Sequence, residues 1–142
     1  VDSSTVVPMN HFEKREWAAY TIRPKVHKVL RRYLAPWTMP TVNHRYEGPK
    51  PAFHTEVRPE AIAGLVAGCE INHGIAPSTA FRGGAEQARR RLGWFLERNL
   101  KRYAEERNQP AAHATSNLSP YLHFGMISPL EVALAVERYG LE

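Results

Sequence analysis

Between Gly84 and Arg107 the apolar residues Ala88, Leu92, Phe95, Leu96, Leu100, Tyr103 and Ala104 return every three or four positions, while Arg89, Arg90, Arg91, Arg98, Lys101 and Arg102 fill much of the remaining surface. That period gathers the apolar side chains into one stripe of an α-helix, whereas the two-residue period of a strand would scatter them over both faces. A core built against this stripe needs a partner surface, and further helical segments are legible. From Lys14 to Leu34, Val26, Val29, Leu30 and Tyr33 form a second stripe with Lys25, Lys28, Arg31 and Arg32 outside it. Pro24 lacks a backbone donor and biases Arg23 away from helical angles, so the spacing predicts two helices meeting near Arg23. Ser128-Pro-Leu-Glu131 has the form of a capping box with proline at the first helical position, which predicts the start of a last helix.

The segments between these helices have a different composition. Pro36, Pro40, Pro49 and Pro51, with Gly48, make Ala35 to Glu56 an expected extended connector. Pro59 then opens a short predicted helix, PEAIAGLVAGCE, with Ile62, Leu65, Val66 and Cys69 on one side. Val1 to Pro8, VDSSTVVP, carries β-branched residues closed by a proline and reads as a short strand whose partners lie elsewhere. With 142 residues and 43% hydrophobic content the chain can build one core of ordinary domain size. The lone Cys69 excludes an intrachain disulfide framework and a CxxC knuckle; it is expected to be a buried, inert thiol in a reducing compartment. No run of about 18 apolar residues exists, so no membrane partner is expected. The start at Val1 and the abrupt stop of LEVALAVERYGLE are expected of a piece of a longer chain.

Nineteen Lys and Arg against 14 Asp and Glu give a formal charge of +5 and favour an anionic partner such as nucleic acid or a phosphorylated ligand. The seven histidines lack HxxxH or Cys/His spacing, so no metal site is expected. No GxSxG, Walker loop or GxGxxG is present, and no catalytic residue is nominated. Gly83-Gly84 reads first as a turn and only second as a phosphate approach, and the arginine-rich face reads first as solvated, since Glu86, Glu97, Glu105 and Glu106 dilute it. The stretch ATSNLSPYLHFGMIS, Ala114 to Ser128, has two readings. Ser119 before Pro120 makes a helix cap, or the cluster of Thr115, Ser116, Asn117 and Ser119 at a helix start holds a phosphate. Tyr103 by itself reads as a core aromatic.

FRGGAEQARRRLGWFLERNLKRYAEERNQP followed by ATSNLSPYLHFGMIS resembles the opening of the flavin-binding helical domain of the DNA photolyase and cryptochrome superfamily, over roughly Pro77 to Val136. There a glycine-started helix with an L..FL....L..Y pattern leads through an RN.P turn into TS.LSPYL.FG.IS. VVPMNHFEKREWAAYTIRPKV, with AA.TIRPK, and the RNQP and SNLSPYLHFG elements resemble class II cyclobutane pyrimidine dimer photolyases. His113-Ala114 and Arg82 depart from residues common in the family. The resemblance implies a mainly α chain with three parts: residues 1–34 ending an N-terminal α/β antenna-type domain, 35–78 forming an interdomain connector with a short helix, and 79–142 beginning the helical FAD-binding domain. It implies FAD, active in its reduced form, as cofactor, with an antenna chromophore left open. Thr115, Ser116, Asn117, Leu118 and Ser119 would wrap the FAD pyrophosphate, and Tyr103, twelve residues before the motif's threonine, would touch the flavin. The implied partner is damaged DNA containing pyrimidine dimers, bound by a monomer in the cytoplasm or, in a eukaryote, the nucleus. The implied reaction is light-driven dimer repair. A cryptochrome-type photoreceptor and a flavin-free helical nucleic-acid-binding module are the alternatives.

Overall fold

The computed structural model describes residues 4–140. Among them the regular structure is helical: α1 (Ala19–Tyr33), α2 (Ile62–Ala67), α3 (Ala85–Arg98), α4 (Leu100–Glu106), α5 (Ser119–His123) and α6 (Pro129–Gly140), with 3-10 turns at Met9–His11, Pro59–Ala61 and Pro110–Ala112. The mainly α expectation holds. The expected strand at 1–8 is absent over residues 4–8, which bend and turn, and residues 1–3 lie outside the described residues. The chain falls into two compact units, 39–81 in one and the flanking segments 1–38 and 82–142 in the other.

In the larger unit the core is Ala88, Leu92, Leu118, Tyr121 and Ile127, with Leu96, Met126, Val132 and Ala135 packed against it. It therefore joins the stripe of α3 to the loop before α5, to α5 itself and to α6. Ala88, Leu92 and Phe95 are buried as the periodicity requires, Leu96 and Tyr103 are half-buried, and Ala104 is exposed. The single helix expected from Gly84 to Arg107 is broken at Asn99, whose φ of −118° ends α3 and begins α4. Asn99 is 1% exposed. It occupies a position of the apolar stripe, so its amide is carried inward and takes a carbonyl from outside the helix, as described below.

Helix ends follow local chemistry. Gly84, at φ 110°, caps α3 in a conformation that suits glycine, and its carbonyl accepts from the Ala88 amide at 3.1 Å. A Cβ on Gly83 would stand 3.2 Å from Met126 Cε, so the glycine pair is a turn packed on Met126. α5 ends in a Schellman turn: Gly125 is left-handed at φ 65°, its amide donates to Leu122 O at 3.2 Å, and the Met126 amide donates to Tyr121 O at 2.8 Å. For α6 the capping box is half realised. Ser128 Oγ accepts from the Glu131 amide at 3.0 Å, while the Glu131 carboxylate accepts from Arg89 Nε at 2.6 Å and so ties α6 to α3. That bond holds the Arg89 guanidinium above its ordinary pKa.

α1 corrects one expectation. It is a single helix containing Pro24, and it begins at Ala19 rather than Lys14. Pro24 stands early in the helix and forfeits one hydrogen bond, a loss the amphipathic remainder outweighs. The start is set by Ala18, whose carbonyl accepts from the Thr21 hydroxyl at 2.8 Å and the Thr21 amide at 3.1 Å. Val26, Val29, Leu30 and Tyr33 are half-buried while Lys25, Lys28, Arg31 and Arg32 are exposed, as the stripe predicts.

In the unit 39–81 the proline-rich connector runs without helix or strand from Met39 to Arg58. Ile62, Leu65 and Val66 on α2 remain 49%, 39% and 47% exposed, and Phe53 is 88% exposed. Cys69, expected buried, is exposed, its thiol facing the Leu65 carbonyl at 3.4 Å. The reason is the same throughout: apart from the 3-10 turn that leads into it, this six-residue helix has no second helix or strand in the unit to bury its apolar side.

Two measurements check this architecture. Leu92→Ala should lower unfolding free energy by about 2–5 kcal/mol in chemical denaturation, the cost of an unfilled core site. The Glu16 carboxylate, hydrogen-bonded by Lys25 and Thr21, is held below its ordinary pKa. Its contribution is therefore present above the ordinary carboxylate range and is lost as pH falls through the depressed value. Lys25→Met should flatten that acid-side slope in melts taken across pH 3 to 6, roughly the carboxylate range.

Candidate functional site

Residues 114–119 form a loop whose two apolar members are anchored and whose polar members face outward. Ala114 is 1% and Leu118 2% exposed, both in the core, while Thr115, Asn117 and Ser119 are exposed and Ser116 is half-buried. Alternation between core and solvent keeps this segment out of helix and sheet and leaves its amides unpaired by either. Among the described residues the backbone NH groups of Thr115, Ser116, Asn117 and Ser119 have no hydrogen-bond partner, and the Leu118 amide donates to Ser116 Oγ at 3.3 Å. The Thr115 hydroxyl donates to Asn117 Oδ1 at 3.2 Å. His113 at φ 49° and Asn117 at φ 54° take left-handed conformations, which Asn and His adopt more readily than other non-glycine residues and which the surroundings hold in place.

The surroundings here are α3 and α4. Asn99 Nδ2 donates to the His113 carbonyl at 2.9 Å, and Arg102 Nη2 reaches Asn99 Oδ1 and the Ala112 carbonyl, each at 3.3 Å. Arg102 Nη1 also pairs with Glu106 Oε2 at 3.1 Å, an ion pair rather than an aligned hydrogen bond. Arg91 Nε donates to the Ser116 carbonyl at 3.1 Å, and its guanidinium stacks 4.7 Å from the Trp94 ring centroid. Loop entry and loop centre are thus held separately, one by a buried amide and one by a stacked guanidinium.

The helix-cap reading of Ser119 is corrected. Leu118 occupies the N-cap of α5, Ser119 is the first helical residue, and no side chain caps the helix. Burial of Leu118 draws the helix start upstream, which leaves the Ser119 hydroxyl without a partner among the described residues. α5 has only five residues, so the loop amides outweigh its dipole in any attraction for an anion. Tyr103 lies on α4, half-buried, with its ring edge-to-face on Phe95 at 5.4 Å and Arg107 at 5.9 Å. The structure thus places the five loop residues together, and Tyr103 on the helix whose Arg102 holds the loop's approach. Sequence reasoning missed Asn99, Arg91 and Trp94. Asn99 had a signal, an amide at a stripe position between Phe95 and Tyr103; Arg91 and Trp94 had none, because one of many arginines on a helix is not distinguished by spacing.

No protein-family model matches the chain. Curated proteins do. A deoxyribodipyrimidine photo-lyase of Methanothermobacter thermautotrophicus is 34% identical over 99% of this chain and 30% of its own length. Over nearly its whole length the chain is similar to one part of this photolyase. The deoxyribodipyrimidine photo-lyase of Potorous tridactylus is 29% identical over 98% of the chain and 25% of its own length. That of Thermus thermophilus is 46% identical over a shorter stretch, 42% of the chain and 14% of the relative. The chain spans about 30% or less of the length of these photolyases.

The clamp on this loop can be tested directly. Asn99→Leu strips the His113 carbonyl of its donor and should cost about 1–3 kcal/mol of stability. Limited proteolysis should then cut first between residues 107 and 117; an unchanged melt and cleavage pattern would show that Asn99 does not hold the loop.

Proposed function

We propose that this chain carries the phosphate-holding loop of a light-driven photolyase that repairs cyclobutane pyrimidine dimers in DNA, with FAD as its cofactor. In this reading residues 79–142 begin the flavin-binding helical domain, 35–78 connect, and 1–34 close an α/β domain. One observation carries it: four backbone amides and the hydroxyls of Ser116 and Ser119 meet in an exposed loop whose ends are locked into the core. Unpaired amides on near-successive residues are suited to an anion, and a pyrophosphate offers the oxygens to accept from them. The residues therefore fit the phosphate end of FAD. Thr115, Ser116, Asn117, Leu118 and Ser119 would hold it, and Tyr103 would contact the flavin nucleotide from α4.

When bound, reduced FAD supplies the photochemical electron for splitting the dimer. The residues of this chain do the other work: they bind, orient and neutralise. Ser116 is prepared for it, since its Oγ already accepts from Leu118 and its proton remains free to donate outward. The excess of Lys and Arg, 19 against 14 acidic residues, favours a polyanion and makes DNA affinity fall as salt rises. A cryptochrome-type receptor would share the loop; the relatives' names favour the repair enzyme, and light-dependent dimer repair by the intact protein separates the two. A flavin-free nucleic-acid module would yield an intact protein without a yellow chromophore.

Replacing Ser116 or Ser119 by alanine in the intact protein should weaken FAD binding by about tenfold to a hundredfold, the loss of one charge-assisted hydrogen bond. Without flavin the two variants should differ. Ser119→Ala should melt as the wild type because Ser119 caps nothing, and Ser116→Ala should lose about 1 kcal/mol with its Leu118 partner. Unchanged FAD affinity in both would overturn the phosphate role.

A further inference from the structure

Arg91 is the one charged side chain of α3 that reaches the candidate loop's own backbone. Half-buried beside the core residue Leu92, it uses Nε–H on the Ser116 carbonyl at 3.1 Å while its guanidinium lies over Trp94 at 4.7 Å. Contact with the indole restrains the guanidinium, and a rigid planar fork directs its N–H groups in a way an ammonium does not. The bond therefore grips the peptide between Ser116 and Asn117. In a trans peptide the C=O and N–H point in opposite directions, so a carbonyl turned toward Arg91 turns the Asn117 amide away from it. That amide has no partner among the described residues, and Asn117 holds φ 54°. A flip of this peptide would replace an outward N–H with an outward carbonyl oxygen, turning a donor for anions into a repelling acceptor.

We infer that Arg91 is the positioning residue of the loop: it pins the 116–117 peptide with the Asn117 amide outward and thereby sets the loop's affinity for the phosphate groups of a dinucleotide. The inference rests on the reading of residues 115–119 as the pyrophosphate site. Arg91 acts through the peptide, and Trp94 acts through Arg91. Loss of either affects the phosphate end of the ligand and spares the ring end.

The test uses flavin-free intact protein titrated with FAD and with riboflavin, which has the same ring and no phosphate, followed by quenching of flavin fluorescence. Wild-type protein should bind FAD far more tightly than riboflavin. Arg91→Ala should weaken FAD about tenfold to a hundredfold while leaving riboflavin within about twofold. The selective loss should persist in about 1 M salt, where charges further apart than about 3 Å are screened. Arg91→Lys keeps the charge but lacks the stacked plane, so it should show the same selective loss and serves if the alanine variant does not fold. Equal weakening of both flavins, a loss that vanishes in high salt, or a lysine variant with wild-type preference would each overturn the positioning role. Wild-type protein that does not prefer FAD would overturn the pyrophosphate reading itself; wild-type preference with unaffected Arg91→Ala would overturn only the role of Arg91.

Discussion

Leu118 packs into the cluster of Ala88, Leu92, Tyr121 and Ile127 at 2% exposure, and most of the local geometry follows from that burial. Its side chain must enter the core four residues after Ala114 does the same. The residues between then cross the surface with the amides of Thr115, Ser116 and Asn117 unpaired. Fully burying a leucine contributes on the order of 2 kcal/mol, enough to hold a short loop in a conformation that local propensity alone would not choose. The helix start at Leu118 and the uncapped Ser119 hydroxyl are consequences of that packing.

Packing alone would leave the loop free to rotate its peptides, and two polar clamps remove that freedom. Asn99 breaks a helix to reach the His113 carbonyl, and Arg91 leaves the helix surface to reach the Ser116 carbonyl. Both spend hydrogen-bonding capacity on carbonyl groups, His113 at the loop entry and Ser116 at its centre, while the amides of Thr115, Ser116, Asn117 and Ser119 keep theirs. The same division of labour appears in α6, where Ser128 caps the helix and Glu131, released from the second half of the capping box, joins α3 through Arg89.

The unit 39–81 is governed by the opposite condition. Its prolines prevent regular pairing, its one α-helix is six residues long, and its apolar side chains, such as Phe53 and Ile75, remain 88% and 74% exposed. Cys69 is exposed for this reason and not because of anything in its own neighbourhood. An apolar stripe states which side a helix can bury; it does not supply the surface that buries it.

By itself the sequence determined the helical class, the stripes of α1 and α3, the start of α6 at Ser128 and the irregular connector, because periodicity, prolines and caps act over a few residues and need no distant partner. It also marked residues 115–119 as a candidate phosphate site through a cluster of small polar side chains. Tertiary structure decided the rest: that α1 runs through Pro24, that the long helix breaks at Asn99, that Ser119 caps nothing, and that Arg91 alone among its neighbours on α3 holds the loop. Each of these depends on which carbonyl or apolar surface lies opposite a side chain in space, and residues 91 and 116, twenty-five positions apart in the chain, become neighbours only when the core around Leu92 and Leu118 has formed.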